Sequence, residues 1–230
     1  MVVAIWLGIL CVFISNPMAL QQKKVDTTWT ADFVYVLGVI ASDGNVSSDL
    51  RHISITSKDE QLLLLIKDIL KLTNTIGRKG RGDSPQKPYF LLQFGDKNFV
   101  NFLIYIGITP NKSKSIARVE IPEKFFKDFL RGVVDGDGCI DFFYHPESSQ
   151  PQIRIRIASA SPPFLHWLQS MVLKKCQTLG GWIHVQKKSS VSVLTYAKAD
   201  SVKILKYMYY IGAPCLTRKE KIAKNILGEW

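Results

Sequence analysis

With 230 residues, 47% of them hydrophobic and 21% charged, the chain can bury a substantial core, so intrinsic disorder is not the default reading. Lys and Arg number 30 against 19 Asp and Glu, and the resulting +11 charge points to a polyanionic partner, nucleic acid before an anionic membrane surface. The 4 cysteines form no Cys-x-x-Cys pair and no zinc spacing with the 4 histidines, which excludes a zinc finger and fits a reduced, intracellular protein.

In chain order, residues 1–14 are almost wholly apolar, yet no Lys or Arg precedes them as a signal peptide requires. At about 13 residues the run is short for a membrane span. Residues 1–26 therefore read as a leader or extension, with export or membrane association as the less favoured alternative. A helix follows, with Thr30 as N-cap and Asp32 in its first turn, ending at Asp43-Gly44. Gly44, like Gly138 in the second half, suits the left-handed position that ends a helix. Alternation predicts a strand over 53–57, and then come an apolar helix over 61–72, a hairpin of 76–84 with 89–94, and a helix over 99–108. The basic stretch Pro110-Asn111-Lys112-Ser113-Lys114 closes this part.

The same order then returns. Pro122 fits the first turn of a helix whose apolar positions Phe126, Phe129, Leu130 and Val133 recur at helical spacing, and which ends at Asp137-Gly138. A strand over 153–157, a helix over 163–179, a hairpin of 182–188 with 191–196, and a helix over 202–211 follow. Thr217-Arg218-Lys219-Glu220-Lys221 matches the earlier basic stretch, and both last long helices end in Tyr-Ile-Gly. The chain thus divides into two copies of one α/β unit, residues 27–117 and 118–230.

The sharpest repeat is Tyr35-Val36-Leu37-Gly38-Val39-Ile40-Ala41-Ser42-Asp43-Gly44 against Phe129-Leu130-Arg131-Gly132-Val133-Val134-Asp135-Gly136-Asp137-Gly138. Gly38 with Ser42, and Gly132 with Gly136, put small residues on one face of each helix, where two backbones can approach. Asp43 and Asp137 fall at helix C-termini, where the macrodipole disfavours negative charge unless something compensates. A divalent cation compensates, and two carboxylates brought together repel unless a metal or a proton sits between them. Such a pair suits metal-assisted phosphodiester hydrolysis. The plainer alternative is a turn-forming Asp-Gly after each helix. A calcium loop is excluded, because Ile140 replaces its required Gly and Pro146 its closing Glu.

These decamers resemble the LAGLIDADG motif, and two copies with matching downstream order resemble the single-chain homing endonucleases over residues 27–230. The resemblance implies an α+β fold of two pseudo-symmetric αββαββα half-domains, each with a curved antiparallel sheet, joined through the paired motif helices. It implies that Asp43 and Asp137, with backbone carbonyls near Ser42 and Gly136, bind Mg²⁺. Mn²⁺ should substitute, and Ca²⁺ should support binding without efficient cleavage. Lys112 and Lys219 take the place of the family's basic residue near the scissile phosphate. Ser57 and Ser159 occupy a supporting position where relatives often carry glutamine. Asp135, opposite Ala41 in the first copy, either supports the site or faces solvent.

Double-stranded DNA with a long target site is the implied partner, bound by a monomer of the intron-encoded type and cut to short 3′ overhangs. Alternate side chains of an antiparallel ribbon reach bases in the major groove. The candidates are Arg51, His52, Ser54, Arg78, Lys79 and Arg81 in the first half, and Arg154, Arg156, His184, Gln186, Lys187 and Lys188 in the second. An RNA maturase and a binding-only DNA regulator share the scaffold and remain alternative functions.

Overall fold

A computed structural model describes residues 24–81, 84–144, 150–186 and 190–229. Helix α1 (Ala31–Ser42) opens the first half, capped by Thr30, whose Oγ1 accepts from Phe33 N at 3.1 Å. Strands β1 (Gly44–Val46) and β2 (His52–Ser57), helix α2 (Glu60–Ile69), strands β3 (Ile76–Arg81) and β4 (Ser84–Gly95), and helix α3 (Lys97–Tyr105) follow. The second half repeats the order: α4 (Phe126–Asp137), β5 (Gly138–Tyr144), β6 (Pro151–Ser159), α5 (Pro162–Cys176), β7 (Trp182–Val185), β8 (Ser192–Tyr196) and α6 (Lys198–Met208). A further helix, α7 (Thr217–Leu227), carries the second basic stretch, whereas the first forms only a 3₁₀ turn, Lys112–Lys114.

The strands form two four-stranded antiparallel sheets with equivalent orders, β1-β2-β4-β3 and β5-β6-β8-β7. In each sheet one face carries the apolar residues of the strand alternation. Ile53 and Ile55 are buried on β2, and Ile153, Ile155 and Ile157 on β6. The opposite faces are left open, and α1 and α4 pack against each other between the sheets. This is why α1 is apolar on every side: from Phe33 to Ala41 it is entirely buried.

Close approach at the crossing depends on glycine. A Cβ added to Gly132 would lie 2.1 Å from the Tyr35 carbonyl oxygen, and one added to Gly38 would lie 2.2 Å from that of Phe129. Gly44 and Gly138 are needed for the same kind of reason, and not for the left-handed conformation expected of them. Gly138 has φ −96° and ψ 164°, and its added Cβ would meet Val134 Cα at 2.6 Å, while Gly44 would meet Ile40 Cα at 2.7 Å. The chain turns straight from helix into strand at both places, so β1 and β5 start against the helix they leave.

Two other expectations shift. Pro122 does not start α4 but precedes a 3₁₀ turn, Glu123–Phe125, that leads into it. Residues 24–26 do not stand apart from the folded unit: the backbone N–H groups of Lys24 and Val25 both donate to Asp96 Oδ2 at 2.9 Å, and Val25 is buried. The rest of the expected leader, residues 1–23, lies outside the described residues. No helix among the described residues is long and apolar enough to cross a membrane.

Candidate active site and nucleic-acid face

Because α1 and α4 cross at glycines near their C-terminal halves, their last residues meet. Asp43 caps α1 and Asp137 ends α4, with the two carboxyls close enough to share a proton. Burial, and then the neighbouring Asp137, push Asp43 up to about 7, against the opposing pull of Lys219 and Lys112. Asp137 is also raised by burial, opposed first by Lys112. The Asp137 side chain opens to solvent.

Two buried lysines supply the positive charge. Lys112 Nζ donates to the Ser42 carbonyl at the end of α1, at 3.2 Å. Lys219 Nζ donates to the carbonyls of Val134, Asp135 (3.0 Å) and Gly138 (2.9 Å) at the end of α4. Each thus satisfies helix-end acceptors and offsets the dipole beside an acid, a compensation that a cation could equally supply. Burial pulls Lys112 down to about 8 against the raising effect of Asp137 and Asp43, and it lowers Lys219 too.

The two lysines are not equivalent. All three of Lys219's donors are engaged, and α7, its own helix, is fastened from several sides. Asp135 is buried and does not face solvent; its Oδ2 accepts from Leu216 N and from Tyr35 Oη, both at 2.8 Å. The fully buried Arg131 donates to the carbonyls of Pro214 (2.7 Å) and Met208 (2.5 Å) and to Asp128 (2.8 Å). Replacing Lys219 by methionine leaves three carbonyls without a donor and is expected to lower unfolding free energy by roughly 2–4 kcal/mol. Lys112→Met, with one such bond, is expected to cost about 1 kcal/mol. Equal urea midpoints for the two variants would contradict this assignment.

The half-sites are built across the pseudo-dyad. Ser161 Oγ, at the start of α5, donates to the Ile116 carbonyl just after the Lys112 turn. Conversely, Arg218 of α7 reaches Asp59 of the first half at 3.0–3.1 Å, and Gln61 reaches Thr217. A cavity of about 240 Å³ accordingly mixes Lys112 and Ser42 of the first half with Asp137 and Ser159 of the second. Ser159 Oγ and Ser57 Oγ hold local corners, accepting from Ser161 N and Asp59 N at 3.1 Å.

The donors suit a hard divalent cation: two carboxylates with helix-end carbonyls beside them. Among the described residues no group of three or more His, Cys, Asp or Glu assembles, so water and phosphate oxygens would complete the shell. Of the carbonyls expected to help, that of Ser42 already accepts from Lys112, and that of Asp135, just before Gly136, accepts from Lys219.

No protein-family model and no curated protein matches the chain. Solved structures do. The LAGLIDADG homing endonuclease I-SmaMI, bound to cleaved DNA, aligns with a TM-score of 0.56 and 13% identity over 89% of each chain. Mesophilic variants of the homing endonuclease I-DmoI align at 0.53 and 17%, over 84% of this chain and 96% of theirs. Full-length WhiA from Thermatoga maritima aligns at 0.55 and 14%, over 86% of this chain; the chain spans 59% of that protein. The chain has the LAGLIDADG fold.

In that LAGLIDADG fold the open sheet faces hold most of the residues singled out for DNA. Arg51 and His52 are exposed, with His52 Nδ1 2.5 Å from Asp49, and Ser54 is half-buried between Asn45 and Gln93. Arg154, Arg156, His184 and Gln186 are exposed as well. Arg78 falls differently. It pairs in register with Phe90 and lies 5.8 Å from that ring, on the side of the buried Leu92 and not on the Ser54 face. Lys187, Lys188 and the side chains of Lys79 and Arg81 lie outside the described residues. Sequence reasoning missed Asp141, Trp182 and Gln93. Only strand register places them beside the basic residues: Cys139, Arg156, Thr195 and Trp182 form one row across the second sheet.

Proposed function

We propose that the protein is a site-specific double-stranded DNA endonuclease, hydrolysing one phosphodiester on each strand with a divalent metal held by Asp43 and Asp137. The observation that carries this reading is the meeting of those two carboxyls at the ends of the paired helices, between sheets whose open faces carry arginine and histidine. The +11 charge and the DNA bound to I-SmaMI support it.

Bound there, Mg²⁺ would supply Lewis acidity and a water acidic enough to attack phosphorus, with Mn²⁺ substituting and Ca²⁺ supporting binding alone. Asp43 and Asp137 hold the ion once both are ionised. Lys112, with a single backbone partner and a place in the cavity beside Asp137, offers its ammonium to a phosphate oxygen. Lys219 has no donor to spare while it caps α4, and its part is to hold that helix end and its acid in place. The lysine caps also favour a second reading, a protein that binds DNA without cutting, because their hydrogen bonds by themselves compensate the helix ends.

Metal titration separates the two readings. Asp43 is pushed up to about 7, so its ion-binding form is scarce below that pH and dominant above it. Mg²⁺ should therefore bind about tenfold more weakly at pH 6 than at pH 8, measured calorimetrically on the protein without DNA. Lack of Mg²⁺ and Mn²⁺ binding at pH 8 would favour the binding-only protein.

A further inference from the structure

Among the described exposed basic residues of the second sheet, Arg156 is distinct in being held by a carboxylate. Strands β5 and β6 pair antiparallel with Cys139 opposite Arg156 and Asp141 opposite Arg154, which puts all four on the open face. Asp141 grips Arg156 side-on, with Arg156 Nε 2.7 Å from Asp141 Oδ2 and Nη2 3.0 Å from Oδ1. The grip uses one edge of the guanidinium and leaves the end edge, formed by Nη1 and the outer hydrogen of Nη2, pointing away from the carboxylate.

That arrangement suits a base and not a phosphate. Asp141 neutralises the arginine and would repel a phosphate placed beside it, so the pair adds little to sequence-independent affinity. The same carboxylate fixes the planar fork, and a fork held in advance loses less freedom when it forms two parallel hydrogen bonds. The major-groove edge that accepts two such bonds is guanine O6 and N7. Arg154 provides the contrast. Its guanidinium lies 5.3 Å from the Phe143 ring, and no carboxylate among the described residues grips it side-on, leaving its charge for the backbone. Arg154, Arg156, Asp141 and Phe143 line one groove of about 540 Å³ beside α7.

We propose that Arg156, oriented by Asp141, is a specificity-determining residue that selects a guanine in the half of the DNA site facing the second sheet. The inference rests on the DNA-binding part of the proposed function, but not on cleavage.

The test is selection from a randomised double-stranded DNA library by the full-length protein in Ca²⁺, followed by sequencing, for wild type, Arg156→Ala, Arg156→Lys and Asp141→Ala. Wild type should enrich guanine at one position, and both arginine variants should lose about tenfold or more of that preference while other positions hold. Asp141→Ala should keep the guanine with weaker discrimination, and its binding should become more salt-sensitive because a cation has been released. Unchanged base preferences in Arg156→Ala, with a shallower salt dependence, would overturn the proposal and make Arg156 a phosphate contact. Failure of the wild type to enrich any DNA would overturn the proposed function and this inference with it.

Discussion

Replacing Gly132 with alanine is expected to lower the unfolding free energy by about 3 kcal/mol or more and to shift the urea midpoint down accordingly. In an ordinary helix interior the same change stabilises by up to about 1 kcal/mol, so even the sign is diagnostic. Here the new methyl group would sit 2.1 Å from Tyr35 O, 3.0 Å from Val39 N and 3.1 Å from Gly38 Cα. All three are backbone atoms of a fully buried helix, so no side chain can swing aside to make room. The helices must part, which opens the core on both sides and pulls Asp43 away from Asp137. Gly38→Ala meets Phe129 O at 2.2 Å and should behave alike. An unchanged or raised midpoint for both variants would show that the crossing is not as close as described.

The crossing was legible because its signal is local and doubled: small residues four apart, in two helices, each followed by Asp-Gly. The buried face of β6 was legible for a similar reason, since the Ile153, Ile155, Ile157 alternation fixes which side packs inward. What the sequence could not place depends on contacts between distant segments. Each basic stretch follows the last long helix of its own half, yet the Lys112 turn is docked by Ser161 and α7 by Asp59 and Gln61, all of the opposite half. Spacing alone gives no register for that exchange.

The role of Asp135 was left open for a related reason. Its partners, Tyr35 and Leu216, are 100 and 81 residues away. Only the absence of an acid at Ala41 hinted that the halves differ, and the structural counterpart is that the first half has a 3₁₀ turn where the second has α7. The face of Arg78 was not legible because a Gly-rich hairpin lacks the apolar alternation that sets parity; pairing with Phe90 supplies it. Asp141 gave no signal of its own, being one acid on a strand, and acquires meaning only opposite Arg154 and diagonal to Arg156.

The second large effect concerns the acids themselves. Asparagine at Asp43 and Asp137 keeps the size and polarity of each side chain while removing the charges that hold the metal. Cleavage should fall by roughly three orders of magnitude or more. Fold stability should change little or rise, because burial and mutual repulsion already disfavour the charged pair. DNA affinity should hold or tighten slightly, since two negative charges facing a polyanion are gone. Loss of cutting without loss of binding therefore separates a catalytic pair from a structural one.

The deciding experiment is cleavage of a randomised double-stranded DNA library by the purified protein in Mg²⁺, beside the Asp43→Asn, Asp137→Asn double variant. A catalytic metal held by Asp43 and Asp137 requires cuts on both strands at one long defined site by the wild type, and binding of that same site without cuts by the variant. Equal cutting by both proteins, or DNA binding by the wild type with no cutting in Mg²⁺ or Mn²⁺, would contradict it.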